Sequence, residues 1–187
     1  MTPYRLYHSI RLLLIKSKAK RADYLKKHDV LGAIGDNCMW GPWLLPVYPK
    51  LIKLHNNVFV HKTALLVPHD FLNRFLKTVY SDSDFGHIEK IGCIEIMDNV
   101  YLAANVTVMA NVRINTNCII SAGSVVTSDL PANSLVSGIP AKPVGNFEMF
   151  AALRKMGSKQ TVKFRNQHIP KEIIESEWNR FEKKHES

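Results

Sequence analysis

The chain has 187 residues, 46% of them hydrophobic, and its 25 lysines and arginines against 16 acidic residues give a formal net charge of +9. That is enough apolar material for one cored domain with appendages. It leaves no room for a membrane-spanning helix or a secretory leader: the best N-terminal apolar run, residues 12–15, lies between Arg11 and Lys16, far short of the ~20 residues a span needs. A cytoplasmic location is therefore expected. Cys38, Cys93 and Cys118 are widely spaced with no CxxC pair, which speaks against a disulfide framework, and no metal-ligand spacing joins His55, His61, His69 and Asp70. The positive charge gathers in residues 16–27 and 154–184. No nucleic-acid motif accompanies it, so nucleic acid is not an expected partner, while contact of a basic end with an anionic membrane surface stays open.

Residues 4–27 read as one helix, with Tyr4, Tyr7, Leu14 and Leu25 on an incomplete apolar stripe among basic residues. Such a helix would cap the open edge of a repeat. His8, His28, His168 and His185 fall in these terminal segments and read as solvated. The text IGDNCM starts at Ile34; Ile34, Trp40, Leu54, Val60 and Leu66 then take equivalent positions, with Pro46, Tyr48 and Pro49 interrupting. Trp40, Trp43 and Tyr48 read as packing aromatics, an acceptor-binding platform being the alternative. After Leu72 the pattern fails, because Thr78, Asp84 and Lys90 cannot serve where aliphatic residues are needed, so residues 73–92 are expected to leave as an external loop.

From 96 to 130 the register is six. Ile96, Leu102, Val108, Ile114, Ile120 and Val126 open successive blocks, and Val100, Val106, Val112, Cys118, Ser124 and Leu130 are the fifth residues. A helix repeats every 3.6 residues and a strand every two, so a period of six points to a β-helix wound around a three-sided core. Three blocks make a coil. Residues eighteen apart should then stack about 4.8 Å from each other, placing Leu102 against Ile120, Val108 against Val126 and Ala104 against Ala122. Pro140 to Pro143 should stop the winding. A short helix over 147–156 ends at Gly157, and another begins at Pro170 with Ile173, Ile174, Trp178 and Phe181 on one side; both read as packing elements. The expected organisation is a helical cap (1–33), the repeat domain (34–146, with the external loop 73–92) and a helical extension (147–187).

Of the eight histidines, His69 stands where the last regular rung opens into the loop, followed by Asp70. A neutral imidazole there could act as a base, and Asp70 could orient it or merely form the turn. His87 is a rival across the loop, and His55 and His61 occupy second positions of their blocks, which point outward or into turns.

The run SAGSVVT, the Asp129, Pro131, Asn133, Ser134 series and GIPAKPVGNF with Gly138, Pro140, Ala141 and Lys142 resemble the end of the hexapeptide-repeat acyltransferases, in particular their sugar and capsular-polysaccharide O-acetyltransferase branch. The resemblance covers roughly a third of the chain. It implies an all-β core wound as a left-handed parallel β-helix, with acetyl-CoA as acyl donor and no metal. It also implies a saccharide hydroxyl as acceptor and a homotrimer with active sites between subunits. It places the base at His69 with Asp70 beside it, and the coenzyme along Ala104, Ala122, Gly123, Thr127, Ser128 and Lys142. Small residues at Ala104 and Ala122 equally suit tight turns. Two departures stand out: Thr127-Ser128 where many relatives have Thr-Lys, and asparagines where relatives have glycines, with Asn99, Asn105 and Asn111 expected to hold left-handed turns. An amino-sugar nitrogen or an antibiotic hydroxyl as acceptor, or a non-catalytic scaffold, are the competing functions.

Overall fold

The structure, a computed structural model, describes residues 1–80, 85, 89–157 and 169–185. His87 and His168 lie outside these. The chain forms two compact units, Met1–Ala151 and Ala152–Ser187.

The first unit opens with two helices where the sequence suggested one, α1 (Pro3–Leu14) and α2 (Lys18–Lys27). Ser17 makes the break: its hydroxyl accepts from the Lys20 N–H and starts α2 afresh. Leu12 and Leu25 are fully buried and join the core of the first coil. Arg21 fixes the cap by donating to the Ile15 and Gly41 carbonyls. His8, read as solvated, is in fact buried, with Nδ1 2.8 Å from the Tyr24 hydroxyl. Its ring packs against Tyr4, Tyr7, Tyr24 and His28.

The coil follows. Its first turn has β1 (Ala33–Ile34) and β2 (Met39–Trp40), then a detour through a 3-10 turn (Pro49–Leu51); its second has β3 (Ile52–Leu54), β4 (Phe59–Val60) and β5 (Leu65–Val67). An excursion of β6 (His69–Asp70), α3 (Leu72–Tyr80) and β7 (Lys90–Ile91) leaves before the third turn, β8 (Ile94–Ile96), β9 (Val100–Leu102) and β10 (Thr107–Met109). The fourth turn is β11 (Val112–Ile114), β12 (Cys118–Ile120) and β13 (Val125–Val126), closed by β14 (Ser134–Gly138) and β15 (Ala141–Asn146). Successive strands visit three parallel faces in rotation: β1-β3-β8-β11, then β2-β4-β9-β12-β14, then β5-β10-β13. A three-sided parallel coil is the only winding that satisfies this order. The predicted pairs Leu102 with Ile120 and Val108 with Val126 are present, and all twelve first and fifth residues of the blocks from Ile96 to Leu130 are buried.

One corner column explains how asparagine replaces glycine. Asn37, Asn57, Asn99, Asn117 and Asn133 stack on the edge between the first and second faces, each with φ between +53° and +60°. Each Nδ2 donates to the Oδ1 of the next at 2.8 Å. Asparagine tolerates the left-handed region, and the amide ladder adds a bond per coil that glycine lacks. Asn105 and Asn111 take the same conformation at the other two edges.

Three further expectations change. The excursion is not an irregular loop throughout, since residues 72–80 are helical. The winding does stop at the prolines, but the chain turns back as β15, antiparallel to β14, with Pro143 opposite Val136 beside a bulge; an outermost strand tolerates a residue that cannot donate. In the second unit α5 (Lys171–His185) leaves Ile174, Trp178 and Phe181 exposed, and α4 (Phe147–Gly157) bridges the unit boundary in sequence.

Candidate functional site

His69 is placed by the way the second coil ends. Past β5 the backbone does not turn onto the first face. Instead β6 pairs antiparallel with β7, His69 opposite Ile91 and Asp70 opposite Lys90. The Gly92 N–H then donates to the Pro68 carbonyl at 2.9 Å, closing the base of the excursion. Glycine at 92 leaves room for the Asn111 side-chain amide, which a Cβ there would displace.

The His69 ring is held by two aromatic edges, Tyr48 at 5.6 Å and Phe71 at 5.1 Å between ring centres, both nearly perpendicular to it. Its Nδ1 is buried and has no hydrogen-bond partner among the described residues. With Nδ1 sealed off, the other nitrogen of the clamped imidazole, Nε2, is the atom that can receive a proton from a bound hydroxyl. Tyr48 is itself unusual. Its φ of +51° puts a bulky side chain in the left-handed region, which costs energy and tends to persist where the surroundings enforce it. Its hydroxyl donates to Glu89 Oε2 at 2.6 Å, a bond that raises its pKa. Tyr48 thus ties the detour of the first coil to the far end of the excursion.

Because the first coil contributes no strand to the third face, a cleft of about 280 Å³ remains between the detour and β5. It is lined by Trp40, Trp43, Leu44, Ala64, Leu66 and His69 among others. Trp43 is 49% exposed and Tyr48 41%, so of the three aromatics only Trp40 is buried in the core, while Tyr48 packs by its ring against His69. The indole Nε1 of Trp40 is also buried without a partner. Gly41 begins the detour because a Cβ there would strike the backbone of Val60 and Lys62.

Asp70 sits beside His69 in sequence, yet its Oδ1 accepts from the Leu72 N–H at 3.1 Å, helping to start α3. The other predicted residues fall on two edges. Ala104, Ala122 and Gly123 occupy the edge between the second and third faces, with the Gly123 N–H donating to the Ala104 carbonyl at 2.9 Å. Gly123 has φ +77° and nothing near its missing side chain. Lys142, opposite Ser137 in the β14–β15 pair, stands above this edge and is exposed. Thr127 and Ser128 follow β13 and lie on the edge between the third and first faces, the edge that carries His69 two coils away. The fold therefore gathers Ala104, Ala122, Gly123 and Lys142, and separates them from His69 by the width of the third face. The sequence reading missed the aromatic clamp; its available signal was an aromatic directly before Pro49 in an interruption of the repeat.

Residues 94–128 match the family model for the bacterial transferase hexapeptide (six repeats). The structure is similar to a hexapeptide-repeat-containing acetyltransferase from Vibrio cholerae complexed with acetyl-CoA, at 19% identity over 76% of this chain and 85% of that one, with a TM-score of 0.52. It is similar to a maltose O-acetyltransferase from Clostridium difficile, at 19% identity over 76% and 84%, TM-score 0.54. A galactoside acetyltransferase in complex with coenzyme A aligns at 18% identity over 88% and 87%, TM-score 0.53. Among curated proteins none matches in sequence. Residues 94–128 thus carry hexapeptide repeats, and at these identities the likeness of the chain to the solved acetyltransferases is one of fold.

Proposed function

We propose that this protein is an acetyl-CoA-dependent O-acetyltransferase acting on a hydroxyl of a sugar or polysaccharide building block. The observation that carries the reading is His69, clamped between Tyr48 and Phe71 and lining a cleft that an acceptor can enter. The imidazole takes the acceptor's proton as its oxygen attacks the thioester carbonyl. Backbone N–H groups of the coil stabilise the oxyanion, and collapse expels the coenzyme thiolate, to which the imidazolium returns the proton. The exposed face of Trp43 suits the apolar side of a sugar ring. Asp70 supports the reaction by fixing the start of α3.

The coenzyme lies along Ala104, Ala122 and Gly123 with Lys142 for its phosphates, while Thr127 and Ser128 contact it from the other edge. One chain does not bring these edges together. Copies packed side by side do, so the left-handed coil works as a homotrimer with a site at each junction, in the cytoplasm where acetyl-CoA is available. Support comes from the repeat match, the shared fold and the separation of the two half-sites.

Transfer from acetyl-CoA to a panel of sugars including maltose and methyl galactoside tests the reading. His69→Ala should lose turnover by about a hundred-fold or more, while acetyl-CoA still raises the melting temperature with the logarithm of its excess. Full activity in that variant would sink the assignment of the base. Absence of any acetyl-CoA stabilisation in the parent protein would leave a non-catalytic scaffold.

A further inference from the structure

The outer face of α1 is apolar where a surface helix is ordinarily charged. At 100° per residue, the buried residues His8, Ser9 and Leu12 point toward the coil. Leu6, Tyr7, Ile10, Leu13 and Leu14 point the opposite way. A helix lying on a protein normally shows charge on its outward side. Here those five residues are between 46% and 69% exposed, and no charged side chain interrupts them.

The charges around that face are all of one sign. Residues 1–22 hold Arg5, Arg11, Lys16, Lys18, Lys20 and Arg21 and not one acidic residue. Arg5 and Arg21 are engaged on backbone carbonyls. Lys16, Lys18 and Lys20 lie just past the end of α1, exposed and in no ion pair among the described residues.

We propose that this face docks the protein on an anionic lipid surface, α1 lying in the plane of the interface with its apolar residues among the acyl chains and the lysines at the headgroups. The arrangement of an apolar stripe with a cationic border matches such a surface in both respects. A second copy of the chain matches only one, because residues 1–22 hold no acidic side chain to meet the lysines. Attachment through α1 needs no rearrangement of the coil, since the helix is already fixed by Leu12, by Arg5 on the Leu45 carbonyl and by the Ser9 hydroxyl, which accepts from the Leu45 N–H.

Cosedimentation of the full chain with vesicles tests this without knowledge of the acceptor. Binding is expected to vesicles of roughly one-third phosphatidylserine in phosphatidylcholine, and to weaken strongly near 0.5 M salt, where screening is tight. Phosphatidylcholine alone should retain little. The variant Ile10→Glu/Leu14→Glu should lose binding, and Lys16→Glu/Lys18→Glu/Lys20→Glu should lower partitioning by about a hundred-fold, both with unchanged circular dichroism and melting temperature because the replaced side chains face outward. No binding by the parent chain, equal binding to neutral and anionic vesicles, or retained binding in the folded Ile10→Glu/Leu14→Glu variant overturns the proposal. Sedimentation showing that this variant breaks up an oligomer in the absence of lipid also overturns it, and assigns the face to a second copy.

Discussion

His69 is useful because of what does not touch it. Tyr48 and Phe71 fix the plane of the ring by edge contacts, which hold orientation without occupying either nitrogen. Tyr48 depends in turn on Glu89, so Tyr48→Phe should keep the ring contact and lose the tether. A net hydrogen bond is worth about a factor of five; acceptor KM should rise by roughly that much with kcat little changed, and an unchanged KM would show that the tether does not shape the acceptor cleft. Asp70 separates helix starting from chemistry. Asp70→Ser retains an oxygen that can accept from the Leu72 N–H and should keep most of the activity, whereas Asp70→Ala should lose about 1 kcal/mol of local stability. If Asp70→Ser is as inactive as His69→Ala, the carboxylate has a direct role. His69 was legible in the sequence as a histidine at the last rung before the repeat fails. Its clamp was not, because Tyr48 lies twenty-one positions earlier and reaches the ring only through the detour of the first coil.

The elements obey a rule of six that the sequence states openly, since each corner must be aliphatic to fill a narrow core. The asparagine column shows how the corners are turned. Asn117→Ala should cost about 2 kcal/mol, combining a disfavoured left-handed alanine with two severed amide bonds. Asn117→Gly keeps the backbone free and should cost less, so denaturant midpoints ordered parent, glycine, alanine are expected; equal losses would show that the amide ladder rather than the backbone angle carries the effect. Where periodicity gave no instruction the reading was weaker. The helix α3 was hidden because its apolar residues Leu72, Phe75, Leu76 and Val79 repeat at helical spacing inside a stretch judged only against a period of six. The break between α1 and α2 turned on a single capping serine.

At the scale of the molecule, acid should loosen the structure in two stages. Burial and the neighbouring His28 lower the pKa of His8 below the ordinary 6.5, so the unfolded chain takes up the proton first. The contribution of His8 is intact above 6.5 and is lost as pH falls from there through the folded value. Glu95 bridges neighbouring coils, receiving bonds from His55 and Arg113 that lower its pKa below 4.5; its contribution is intact above 4.5 and is lost on further acidification through its folded value. The melting temperature should fall below pH 6.5 in the parent, and the first part of that fall should be smaller in His8→Gln, the remainder coming from His61, whose pKa burial and the neighbouring Lys18 and Lys62 also lower. A fall of equal size in that variant would remove His8 from the account.

The excursion leaves the coil at Pro68 and returns at Gly92, and the corners on either side remain in step: Leu66 pairs with Val108 as Val108 pairs with Val126, although the first interval spans 42 residues and the second 18. The scaffold is therefore indifferent to what is written between the β6–β7 clasp. Such a clasp makes residues 71–89 an exchangeable cassette, in which selection or design can rewrite the surroundings of His69 by insertion and deletion without renegotiating a single rung. Replacing that stretch by a short glycine-containing turn should leave the coils folded and remove Phe71 and Glu89 together, turning a selective pocket into an open ledge.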